Sequence, residues 1–122
     1  MNIVLFGSTG GIGSEVALQL STNNNLFLGA RDSLKLNNLR TKIKTKTSNI
    51  VEGNLVDATS FSSVDDFMKL ANKELGSIDA VINCVGSLIL KPAHLTSEDE
   101  LLETLKINLF SSFSIIKYGI KY

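Results

Sequence analysis

Seven residues near the start of the chain, Gly7-Ser8-Thr9-Gly10-Gly11-Ile12-Gly13, are of the types that can hold a phosphate. Glycines let a backbone turn sharply and approach an anion with no side chain between them. The hydroxyls of Ser8 and Thr9 are further candidate donors. The run follows the wholly apolar Ile3-Val4-Leu5-Phe6, and Ile12, Val16 and Leu20 then recur at helical spacing. A turn between a buried strand and a helix aims the unpaired N–H groups of the helix N-terminus at an anion. The chemistry implied is pyrophosphate binding, with Gly7, Ser8, Thr9, Gly11, Ile12 and Gly13 as candidate contacts.

A second position with chemical content closes the next apolar run, at Gly29-Ala30-Arg31-Asp32. In a dinucleotide-binding fold this place selects the cofactor, because an acid bonds the ribose hydroxyls of NAD whereas a guanidinium pairs with a 2′-phosphate. Ala30 holds the usual acidic place and Arg31 follows it, which favours NADP(H) over NAD(H). Asp32 has two roles open to it, a ribose contact or, like Ser33, the cap of the helix that follows.

The elements that must position these groups alternate. Strands are predicted at Ile3–Phe6, Leu26–Ala30, Asn49–Glu52 and Ile78–Val85, the third followed by a Gly53-Asn54 loop. Helical periodicity fills the intervals: Leu34 to Ile43, Phe61 to Leu75 with a stop at Gly76, and a last helix that opens with the capping-box pair Ser97 and Glu100 and runs to Gly119. Strict alternation predicts an α/β fold, a Rossmann-like doubly wound parallel sheet of about four strands and four helices, in one domain over residues 1–122. The fourth strand would form an apolar sheet edge, a place for a homo-oligomer to form.

Composition narrows the partners. Hydrophobic residues make up 43% and charged residues 20%, the make-up of a packed globular chain. Twelve basic residues balance twelve acidic ones, so no net field recruits nucleic acid, and the lysines at 42, 44 and 46 read as a solvated helix end. No apolar run reaches the roughly eighteen residues of a membrane span, and no leader peptide is evident, so the expectation is a cytoplasmic protein without a membrane contact. Cys84 has no cysteine partner and His94 no evident metal co-ligand, so no metal site is expected.

The glycine turn resembles that of the short-chain dehydrogenase/reductase family, whose G-x-x-x-G-x-G is met by Gly7, Gly11 and Gly13. The same residues with Gly10 also satisfy the G-x-x-G-x-x-G of the family's extended branch. Asn83-Cys84-Val85-Gly86 resembles the N-N-A-G signature of the classical branch, with Cys84 and Val85 as departures, and so favours that branch. By this resemblance Asn83, Val85 and Gly86 floor the cofactor site. Asn54-Leu55 stands where the family has Asp-Leu or Asp-Val, and Asn54 can still accept a bond from the adenine amino group. Ile107-Asn108-Leu109 resembles the V-N-L segment, which gives Asn108 the proton-relay position.

The same resemblance implies hydride transfer between NADP(H) and an alcohol or carbonyl, with a serine and a Tyr-x-x-x-Lys pair doing the proton chemistry. Neither Tyr118 nor Tyr122 has a lysine four residues on. The chain therefore reads as the cofactor-binding portion of such an enzyme, truncated relative to the family, inactive alone, and competent for a carbonyl or alcohol substrate only when a C-terminal part completes it. The alternative is a non-catalytic NADP-binding sensor or interaction module that keeps the fold.

Overall fold

The computed structural model describes all residues, Met1–Tyr122. Four parallel strands form one sheet in the order β3-β2-β1-β4: β1 (Asn2–Phe6), β2 (Asn25–Ala30), β3 (Val51–Leu55) and β4 (Ala80–Asn83). Between them run α1 (Gly11–Leu20), α2 (Ser33–Lys44) and α3 (Phe61–Leu75). After β4, a short 3-10 turn at Ala93–Leu95 leads to α4 (Glu98–Leu105), a π turn at Lys106–Phe110 and α5 (Ser111–Gly119). The residues that join α4, the π turn and α5 keep right-handed helical dihedrals, so the three form one continuous helix.

Side-chain alternation in the two central strands builds a core on each face of the sheet. Ile3 and Leu5 with Leu26 and Leu28 meet Ala17 of α1 and Leu36, Leu39 and Ile43 of α2. Val4, Phe6 and Phe27 point the other way, onto Val64, Phe67, Met68 and Ala71 of α3 and Ile115 of α5. The Phe67 ring sits 4.9 Å from that of Phe6 and 5.1 Å from that of Phe27, both tilted, a favoured aromatic geometry. Burial on both faces explains why β1 and β2 carry no polar side chain after their opening asparagines, Asn2 and Asn25.

The third strand lies further along than its apolar residues suggest. β3 is Val-Glu-Gly-Asn-Leu, and only Val51 is buried. Gly53 and Asn54, expected in a loop, pair with Leu28 and Gly29 of β2. Backbone pairing makes this strand, and Gly53 is required in it because a Cβ there would overlap the Leu28 carbonyl oxygen. β4 is likewise shorter than Ile78–Val85; it pairs with β1 from Ala80 to Asn83, and no strand pairs with its other edge.

Helix ends follow the side chains at hand. Asp32 accepts the N–H of Lys35 at 2.9 Å to cap α2. Ser60 caps α3, and Ser97 with Glu100 forms the full capping box of α4. α1 alone begins on a residue with no side chain, Gly10.

Candidate dinucleotide site

The C-terminal ends of β1, β2 and β4 open onto a cleft of about 800 Å³. Its floor is the glycine turn, one wall is the Gly29–Asp32 strand end with Lys35 of α2, and the loop Val56–Thr59 borders it. The opposite wall is Cys84–Ser87 with Glu103, Lys106 and Ile107 of the last helix. This is the switch point of the sheet, where β1 has β2 on one side and the later β4 on the other, the place where open α/β sheets bind ligands.

The turn is shaped by close backbone approach. Gly7 has φ +71°, and a Cβ there would lie 2.7 Å from the Cys84 carbonyl carbon. A Cβ on Gly13 would overlap the Gly7 carbonyl oxygen, so α1 begins directly against the turn. Gly11 meets nothing within 4 Å and faces open space. The first backbone bond of α1 runs from the Ser14 N–H to Gly10 at 2.9 Å, which leaves the N–H groups of Gly11, Ile12 and Gly13 without backbone acceptors. Uncapped donors beside an open glycine cradle fit a pyrophosphate.

The candidate contacts separate into groups. Gly7, Thr9, Arg31, Val85 and Gly86 line the cleft. Ser8 does not: it is fully buried, and its hydroxyl donates to the Gly29 carbonyl at 3.0 Å, tying β1 to β2. The Ile12 side chain is 76% exposed and outside the lining, so any contact from residue 12 is through its N–H. Asn54 and Leu55 also lie outside the lining, and Asn54 turns its carbonyl oxygen to the Leu55 N–H at 2.8 Å. Strand pairing carries the chain past them, so the next residues, Val56 to Thr59, border the cleft.

Asn83 and Asn108 hold the far wall together. The Asn83 carbonyl oxygen accepts the Val85 N–H at 2.9 Å, and its amide donates to the Ser112 hydroxyl at 3.1 Å. Ser112 in turn donates to the Asn108 main-chain carbonyl at 2.8 Å. The Asn108 side chain bonds the main chain of Ser87 and also donates to the Thr104 carbonyl at 2.9 Å.

Asp57, Lys35 and Lys106 escaped the sequence reading. Lysines on helix surfaces carry no signal of their own; Asp57 had one, because an acid just before the capping serine of a helix often turns back on the local backbone. It does so here: the hydroxyl and the N–H of Thr59 both donate to Asp57 Oδ1, at 2.6 and 2.9 Å. These bonds hold its carboxyl below the usual carboxylate range, helped by the charges of Lys106 and Arg31. Burial pushes the Cys84 thiol up, so it is a poor nucleophile. Tyr118 packs edge-on against Phe61 with centroids 5.9 Å apart, a structural setting away from the cleft.

This fold and this cleft define a Rossmann-like α/β domain. The profile of the short chain dehydrogenase family matches residues 1–122, and the chain belongs to that family. A short-chain dehydrogenase from Mycobacterium smegmatis superposes with a TM-score of 0.94 at 22% identity, over 99% of this chain and 52% of that one. An alcohol dehydrogenase from the archaeon Thermococcus sibiricus gives a TM-score of 0.91 at 26% identity, over 99% and 52% of the two chains. Chlorophyll(ide) b reductase NOL of Arabidopsis thaliana is 30% identical over 110 residues, 88% of this chain and 32% of its own. The chain thus spans about half the length of these solved structures and a third of that reductase.

Proposed function

We propose that this chain is the NADP(H)-holding part of an oxidoreductase that moves hydride between the nicotinamide and an alcohol or carbonyl carbon. The observation that carries the reading is the division of labour at the end of β2. Arg31 lines the cleft without a carboxylate within ion-pair distance, while Asp32, the acid that would have to hold NAD ribose, is drawn into the cap of α2. An exposed guanidinium beside an occupied acid suits a 2′-phosphate. The alcohol dehydrogenase of Thermococcus sibiricus, 26% identical, is complexed with 5-hydroxy-NADP, in keeping with this choice.

In this reading the glycine turn and the N–H groups of Gly11, Ile12 and Gly13 hold the pyrophosphate, and Gly86 and Val85 border its nicotinamide side. Asn108 takes the family's relay position and fixes the wall beside it. Neither tyrosine of these residues has a lysine four positions on, so the Tyr-x-x-x-Lys pair of the family's proton chemistry is not among them. The chain binds cofactor and turns over a carbonyl or alcohol only together with a part that supplies that pair.

Calorimetric titration of the purified chain with NADPH, and with NADH in the same buffer, tests the proposal. Saturable binding at least tenfold tighter for NADPH is expected. A folded chain that binds neither would instead favour a module that keeps the fold for interaction.

A further inference from the structure

Three cations, Arg31, Lys35 and Lys106, line the cleft, and none has a carboxylate within ion-pair distance, although five other lysines and arginines of the chain do. Lys106 and Arg31 both lie near enough to Asp57 for their charges to help hold its carboxyl low, from the helix wall and from the strand end respectively. Lys35 is not among the charges that do so. Its main chain is fixed, because its own N–H is the group that Asp32 caps at 2.9 Å, which holds residue 35 at the rim four positions after Arg31. Its ammonium is exposed and free to turn into the cleft.

A phosphate monoester carries close to two negative charges at neutral pH, roughly −1.5 to −2. One guanidinium satisfies its geometry but leaves it under-neutralised, and a flexible ammonium on the same rim supplies the second charge without competing for the planar contact. We infer that Lys35 is the second cation of the 2′-phosphate subsite and sets NADP(H) preference jointly with Arg31. The inference rests on the proposal that this cleft binds a dinucleotide. Lys35 reads the phosphate from the first turn of α2, where the helix N-terminus adds a favourable field.

The test uses the intact chain with two probes that differ only in the phosphate, 2′,5′-ADP and 5′-AMP. Lys35→Met is expected to weaken 2′,5′-ADP by about tenfold, the loss of one charge-assisted contact, and to leave 5′-AMP unchanged. Lys35→Arg should restore most of the preference. Equal affinity of Lys35→Met and the unaltered chain for 2′,5′-ADP would overturn the assignment, as would a loss that follows Lys106→Met instead. If the unaltered chain binds 5′-AMP as tightly as 2′,5′-ADP, the NADP reading itself fails and this inference with it.

Discussion

The side-chain amide of Asn108 grips the main chain of Ser87 at both of its polar groups: Oδ1 accepts the Ser87 N–H at 3.0 Å, and Nδ2 donates to the Ser87 carbonyl at 3.0 Å. Few side chains can do this, because the task needs an acceptor and a donor fixed in one plane. The contact joins the last helix to the loop after β4 and so sets the width of the cleft. Asn108→Ala removes both bonds and the one to Thr104. At about 0.5–1.5 kcal/mol per net hydrogen bond, a loss of roughly 1.5–4.5 kcal/mol in stability is expected for the three. Hydrogen exchange of the Ser87 amide, read alongside the thermal midpoint, checks it; unchanged protection at Ser87 would show that the loop is held by other means.

The two glycines that open α1 are not equivalent. A methyl group at residue 13 would overlap the Gly7 carbonyl oxygen, whereas one at residue 11 meets open space. Gly13→Ala is therefore expected to destabilise the chain by about 1–3 kcal/mol, as overpacking does, and Gly11→Ala to leave its urea midpoint nearly unmoved. Gly11→Ala should still weaken NADPH, since in the proposed function the methyl group would stand beside the N–H groups that hold the pyrophosphate. Equal midpoints for the two variants would contradict the turn geometry.

Arg31 carries the phosphate preference in the proposed function. Its replacement by alanine should cut NADPH affinity by roughly ten- to a hundredfold, the worth of a charge-assisted pair of about 1.5–3 kcal/mol, and leave NADH affinity within twofold. Competition between the two cofactors in one titration would reveal the difference. NADPH affinity unchanged in Arg31→Ala would remove the claim.

Asp57 makes acid stability a readout of the cleft rim. Its folded-state pKa lies below its ordinary value of 3.8, chiefly through the hydroxyl and N–H of Thr59. A carboxylate depressed on folding adds stability that is fully present above its unfolded pKa and is lost as pH falls through the folded one. Urea midpoints of the unaltered chain should thus fall as the pH drops through and below the ordinary value of 3.8, and Asp57→Asn should make that fall smaller. Parallel curves for the two proteins would place the acid sensitivity elsewhere.

How much of this was readable beforehand depends on what made each element. β1, α1 and β2 announce themselves, since burial on both faces demands unbroken apolar runs and the turn between them demands glycine. The capping box at Ser97 and Glu100 is equally plain, being local chemistry. β3 was misplaced because pairing with β2, and not its own side chains, makes it a strand; Gly53 reads as a loop residue in isolation and as a close-contact residue only beside Leu28. At the site, the glycines and Arg31 were legible because their types are rare and their spacing informative. The hydroxyl of Ser8 was assigned outward, and only the register of β1 against β2 shows that it turns to Gly29. Lys35 and Lys106 were invisible, because a lysine gains meaning here only from what surrounds it.

The π turn at Lys106–Phe110 gives the last helix a change of phase. The Ser111 N–H donates to the Lys106 carbonyl five residues back, which slips one extra residue into the coil without breaking it. Each helical residue advances about 100°, so everything after the turn is rotated by that angle relative to everything before it. One rod can then serve two surfaces that an even helix could not face together: Lys106 and Ile107 line the cleft, while Ser111, Ser114 and Ile115 are buried against the sheet side. The extra residue also works as a ratchet on sequence change. Deleting any one residue between 106 and 110 would rotate either Asn108 off Ser87 or Ile115 out of the core, so the length of this stretch is as constrained as the identity of Asn108 within it.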